Sequence, residues 1–360
     1  MVKEKQIDIE LMRILAAFFV IFNHTGRNGF FLFSAYENHD IWYWIYLFIS
    51  VFCKFSVPLF FMISGALMLD KETESYLNLW GRKILKILAL LFIWSIPHYL
   101  IFVYNGDAEF DFITFITRFA VTNWNSSLWY LYAYIPFLMS VPLLQRIAKA
   151  LSNKEYLYLI SLAVGFLSLL PVGQYLIWRG HYEFNNYFRL EWVCSNILLY
   201  PLIGFFFRHR ISDLLDKKKI ILLWILNIIA IFVSCYLTNH RASLTGELSE
   251  AKSQMFHNTF VLVNCTSIFV TCQYFVRHVH IAPWIQRVIV SLGGCTFGVY
   301  LLHMFIHRFF GEIGLIKWIY NIFKVTPMLS IWLYCACVFA VGYLFTLLLK
   351  RIPVVRKIIS

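Results

Sequence analysis

Arg13 and His24 are the two residues whose types and spacing most directly suggest chemistry. Both lie in the apolar run 9–26 (IELMRILAAFFVIFNHTG), with Glu10 near its start and Asn23 beside its end. An ionisable group inside a bilayer-length apolar segment is costly unless it faces a protein interior or a water-filled cavity, so each marks a functional position by default. Eleven residues make almost three helical turns, which puts the two side chains within about 20° of one another and roughly 16 Å apart along the axis. One helix face therefore offers a fixed cation at one depth and, at another, an imidazole able to take a proton from a hydroxyl.

Plainer roles exist for both residues. Glu10 lies three positions before Arg13 on the same face and can pair with it while Arg13 snorkels to the near surface. His24 can simply close the helix beside Gly26. Their alignment on one face favours a shared role.

The helix that carries them must sit in a membrane. The chain has 360 residues, is 60% hydrophobic and has a mean hydropathy of +0.69, well beyond the half-apolar composition of soluble domains. Apolar runs recur at 9–26, 41–69, 84–104, 128–145, 156–177, 186–207, 220–237, 257–276, 288–310 and 328–349. These predict an all-α, polytopic integral membrane protein of about ten transmembrane helices, forming one domain over residues 1–360. The second run is long and interrupted by Lys54 and Pro58, the mark of a tilted or broken helix, or of an outer interfacial helix followed by a span. With both termini in the cytoplasm, well over half of the 31 lysines and arginines fall on inner segments, as the positive-inside rule requires.

This distribution accounts for the net charge of +12 through membrane lipids, without nucleic acid. The first run lacks a small-x-small cleavage site and is expected to remain as an anchor. The eight cysteines fall in or against apolar runs with no CxxC spacing, as small buried hydrophobes do.

Further candidates follow from this topology. Arg82, Lys83 and Lys86 gather at the cytoplasmic mouth of the third span, suited either to positive-inside anchoring or to phosphate groups. Ser64 lies toward the cytoplasmic end of the second span. Toward the outer face, the topology puts His24 and Asn23 with Trp129 and Tyr130, which also suit an interfacial belt, and with Arg189, Glu191, His303 and His307. His303 and His307 are four apart on one helix face, but no HExxH and no carboxylate at helical spacing accompany them, so no metal is expected. GxGxxG, Walker and GxSxG motifs are absent.

Taken in order, several stretches resemble the acyltransferase-3 family, the integral-membrane acyltransferases of bacterial surface polysaccharides. They are Arg13-x10-His24, PLFFMISGALML at 58–69, RKILK at 82–86, LWYLYAYIPFL at 128–138 and TFGVYLLHMFI at 296–306. The resemblance implies a multi-pass enzyme of the bacterial plasma membrane. It would take an acyl group, most often acetyl, from cytoplasmic acyl-CoA and pass it to a hydroxyl of a surface glycan or its lipid-linked precursor. His24 would be the catalytic base; beside the resemblance, the residues themselves offer Glu191, able to orient His24 or to pair with Arg189, and His303, suited to catalysis or to core packing, as secondary catalytic candidates. Arg13, Arg82, Lys83, Lys86 and Ser64 would hold the acetyl-CoA donor, and Asn23, Trp129, Tyr130 and Arg189 the acceptor. The family's RxxR is here Arg82, Lys83 and Lys86, and lysine supplies charge without a bidentate fork. Direct attack and an acetyl-imidazole intermediate are both open. A glycan exporter is the competing reading, because helices with buried charges also build transporters; a second copy of the Arg-x10-His helix, which internal repetition would supply, is absent.

Overall fold

The computed structural model describes residues 6–72, 75–185, 188, 190, 195–245, 256–322 and 326–353, and among them every regular element is helical. In chain order the helices are α1 (Ile7–Asn23), α2 (Ile41–Phe52), α3 (Ser56–Met68), α4 (Tyr76–Tyr104), α5 (Phe112–Val121), α6 (Trp129–Ala150) and α7 (Asn153–Trp178). The second half comprises α8 (Leu199–His209), α9 (Lys217–Thr245), α10 (Val261–His278), α11 (Pro283–Gly293), α12 (Thr296–Glu312), α13 (Leu315–Ile322) and α14 (Pro327–Leu349).

Six helical runs among the described residues, α2 and α3 counting together as Ile41–Met68, are long and apolar enough to cross a membrane, and the bent pair α11 and α12 raises this to seven. The other three expected spans correspond to α1, α8 and α10, which are short or carry polar residues. Their position explains the composition. α1 is a central post packed against α3, α10, α11, α12 and α14, while α8 lies across α3. A helix packed among others meets less lipid, so it can carry polar side chains that a lipid-facing helix cannot.

The α3–α8 crossing shows how close this packing is. A Cβ on Gly65 would strike the backbone of Pro201, and one on Gly204 would strike the backbone of Met62. Small residues on both helices let the backbones meet.

Two breaks shape the site. The apolar run through Met68 is interrupted by a 3-10 turn at Cys53–Phe55, with Pro58 in the first turn of α3 where its missing N–H is tolerated. Side chains of neighbouring helices occupy the carbonyls around this turn. Asn264 Nδ2 donates to Phe52 O at 2.6 Å, Asn23 Nδ2 to Cys53 O at 3.3 Å, and Cys265 Sγ to Phe55 O at 3.3 Å. Buried backbone acceptors need such partners, so α1 and α10 hold the break in place.

The second break corrects the expected span 288–310, which is two helices, α11 and α12, bent by 57°. Gly293 ends α11 against α1, where a Cβ would strike Glu10. Lys350 Nζ donates to the Gly294 carbonyl at 2.6 Å, filling an acceptor at the bend. Cys53, Cys235, Cys265, Cys272 and Cys335 are buried among apolar side chains.

Candidate active site

Local rules at the end of α1 place His24. The helix stops after Asn23, the His24 amide still bonds Ile21 O at 3.1 Å, and Thr25 Oγ1 donates to Phe22 O at 2.6 Å. Gly26 then adopts φ +56°, a left-handed conformation that costs glycine little and turns the chain away. His24 is thus left at a helix end, half-buried, facing a cavity.

Two cavities meet α1 near its opposite ends. The one beside Arg13, of about 460 Å³ and termed inner, as its counterpart is termed outer, after the expected topology, is lined by Arg13, Ser64, Lys71, Lys83 and Lys86 on its polar side. Tyr130, Tyr134, Phe297 and Tyr300 form much of its aromatic wall. No carboxylate is among its described lining residues, although Arg13 Nη1 donates to Glu10 Oε1 at 2.9 Å just beside it. The outer cavity, of about 520 Å³, is lined by His24, Asn23, Lys54, Ser56, Trp129 and Asn258, among others. One cavity thus sets four cationic side chains beside an aromatic wall. The other offers amides, hydroxyls, an indole and an imidazole.

Asn23 is fixed as well as exposed to this chemistry. Its Nδ2 donates to Ser56 Oγ at 2.9 Å and to the Cys53 carbonyl, which leaves Oδ1 as the acceptor end. Ser64 Oγ donates to Phe60 O at 2.8 Å at the wall of the inner cavity.

The basic cluster divides. Residues Leu79–Ile84 form a π-helical turn at the start of α4, and Lys83 and Lys86, three apart on one face, line the inner cavity. Arg82 is exposed and does not line it. Trp129 and Tyr130 also part company, Trp129 lining the outer cavity and Tyr130 the inner one.

α12 brings the remaining histidines to His24. The rings of His24 and His303 lie 5.2 Å apart, and those of His303 and His307 lie 6.3 Å apart. His303 is fully buried, with Nδ1 bonded to the Tyr300 carbonyl. The Tyr300 hydroxyl donates in turn to the Ser127 carbonyl, tying α12 to the segment before α6. His307 Nδ1 meets the Tyr334 hydroxyl at 2.8 Å. Among the described residues no group of three or more His, Cys, Asp or Glu side chains is arranged to hold a metal ion. Arg189 and Glu191 lie outside the described residues.

Sequence reading passed over several lining residues. Lys54 was visible as a cation within an apolar run, but only the 3-10 turn directs it into the outer cavity, where its ammonium also stands 4.6 Å from the Phe30 ring centre. Lys71 reads as an ordinary loop charge. Asn258, at the polar approach to α10, carries no motif.

The barrier between the cavities is thin. Tyr300 lines the inner cavity, and three residues later on the same helix His303 stands against His24 of the outer one. Three residues advance a helix by about 4.5 Å.

Comparison with known proteins gives one family. The acyltransferase-3 family model, described as an acyltransferase domain, matches residues 6–347, nearly the whole chain. No curated protein and no solved structure matches it.

Proposed function

The chain belongs to the acyltransferase-3 family, and from that premise we propose that it is an O-acyltransferase using cytoplasmic acyl-CoA, most often acetyl-CoA. In this reading it acts on a hydroxyl of a surface glycan or its lipid-linked precursor at the bacterial plasma membrane, with both termini in the cytoplasm. Membership supports a multi-pass membrane acyltransferase; donor, acceptor and residue roles are our reading. The observation that carries it is the one-turn separation on α12 between Tyr300, in the cation-lined cavity, and His303, beside His24.

The inner cavity suits a donor with an anionic nucleotide end and a long thin arm. Lys71, Lys83, Lys86 and Arg13 hold the phosphates, and Tyr130 and Tyr300 guide the thioester toward His24. Lysine supplies the charge as a point cation, and Arg13 adds a planar fork. The outer cavity suits a sugar, with Asn23, Ser56 and Asn258 hydrogen-bonding hydroxyls and Trp129 offering an apolar face.

His24 takes the proton of the acceptor hydroxyl as that oxygen bonds to the thioester carbonyl carbon. It returns the proton to sulfur as the carbon–sulfur bond breaks, which leaves an ester and a free thiol. General-base help of this kind is worth about 10²- to 10⁴-fold. The membrane is crossed by the donor's arm, so no carrier is needed.

The test is binding and turnover of labelled acetyl-CoA by the purified protein in lipid. Wild type should bind and transfer or slowly hydrolyse the acetyl group, His24→Ala should bind without turnover, and Lys86→Ala should bind weakly. If folded protein binds neither acetyl-CoA nor longer acyl-CoAs, the acyl-CoA donor is wrong and glycan export becomes the better account.

A further inference from the structure

The His303 imidazole has one nitrogen engaged and one bare. The Tyr300 carbonyl that meets Nδ1 can only accept, so Nδ1 carries the proton and Nε2 presents a lone pair. That Nε2 is buried and has no hydrogen-bond partner, and a buried acceptor left without a donor is costly.

Two imidazoles are within reach. The His24 ring is the nearer, at 5.2 Å between centres and tilted by 46°. At that separation a small rotation of either ring brings facing nitrogens to N–H···N distance. The His307 ring is farther, at 6.3 Å; its Nδ1 is engaged with the Tyr334 hydroxyl, while its Nε2 is buried and bare like that of His303, so distance is what favours His24.

We infer that His303 is a positioning residue that accepts an N–H from His24 and so fixes the other His24 nitrogen as the lone pair facing the outer cavity. This rests on the reading of His24 as the base. In a free imidazole either nitrogen carries the proton. With His303 Nε2 as acceptor, one tautomer is selected, and the positive charge that His24 gains during transfer is shared with a buried neighbour. The Tyr300 carbonyl holds His303 in its own tautomer, and the Tyr300 hydroxyl anchors that turn to Ser127. The arrangement thus runs from the segment before α6 through α12 to the end of α1, and orients the base through Ser127, Tyr300 and His303.

The experiment uses the full chain in lipid nanodiscs with ring-¹⁵N histidine, His24 signals being assigned by their loss in His24→Ala. In wild type His24 should show a single tautomer. His303→Leu, or His303→Met as a second apolar variant, should give mixed His24 tautomers. Its kcat should fall by about 10²-fold, with the KM for acetyl-CoA within about twofold of wild type. In His303→Gln an amide oxygen stands near the Nε2 position, so it should restore the single tautomer and about tenfold of the lost rate.

An unchanged His24 tautomer in both apolar variants would overturn the proposal. So would tautomer loss in His307→Gln but not in His303→Leu, which would transfer the role to His307. Should wild type transfer no acyl group from any acyl-CoA, the enzymatic reading fails, while the nitrogen spectra still decide whether His303 orders His24.

Discussion

Trp129 and Tyr130 are neighbours at the start of α6 and line different cavities, Trp129 the outer and Tyr130 the inner. Successive helical residues point about 100° apart, so one helix start can serve both chambers. Tyr130 also packs edge-on against Tyr300 at 5.7 Å, completing the aromatic end of the inner chamber.

This separation predicts opposite kinetic effects. Trp129→Leu should raise the acceptor KM by about three- to tenfold and leave the donor KM unchanged, since an aromatic face contributes about 0.5–1.5 kcal/mol beyond its area. Tyr130→Leu should do the reverse. Steady-state kinetics with each substrate varied in turn decides the matter, and equal effects of both variants on both constants would remove the two-chamber assignment.

The basic cluster at the start of α4 supplies a second contrast. Lys83→Ala and Lys86→Ala should each weaken acyl-CoA binding about tenfold, the loss of one charge-assisted hydrogen bond. Arg82 points away from the cavity, and Arg82→Ala should stay within about twofold of wild type. Competition binding with unlabelled CoA measures all three. A larger loss at Arg82 than at either lysine would place the phosphates outside the cavity.

A buried ion pair ties the inner end of α1 to α8. Arg208 Nη1 bonds Asp8 Oδ2, with side-chain exposures of 19% and 9%. Arg208→Met strands the Asp8 carboxylate and should destabilise the protein by about 3–5 kcal/mol. The double variant Asp8→Asn with Arg208→Met should recover most of that, because no charge is then left buried. Thermal unfolding of the single and double variants in one detergent checks this; additive losses would mean that the pair is not coupled.

The helix that carries Arg13 and closes at His24 was legible in the sequence, because an apolar run followed by Gly26 is a local signal whatever surrounds it. The sequence grouped Arg82, Lys83 and Lys86 within about one turn, and hydropathy alone identified a helical membrane protein. An irregularity near Lys54 was legible too, as a charge and a proline within an apolar run, while its form, a 3-10 turn within Ile41–Met68, was not. What local rules do not contain is which helices become neighbours. His303 meets His24 across 279 residues of chain because α1 is enclosed by α3, α10, α11, α12 and α14.

The bend between α11 and α12 was likewise not legible as a break. The residues of 288–310 are apolar enough for one span, and the bend is set by Gly293 lying against Glu10 and by Lys350 reaching the Gly294 carbonyl. Arg82 and Lys83 look equivalent as a charge cluster, and only the direction of their side chains from the π-helical turn separates them. Periodicity and hydropathy are properties of a segment and its solvent, so the sequence determined the helices and the face on which each chemical group stands. Close packing between distant segments decided which faces meet and where the cavities lie.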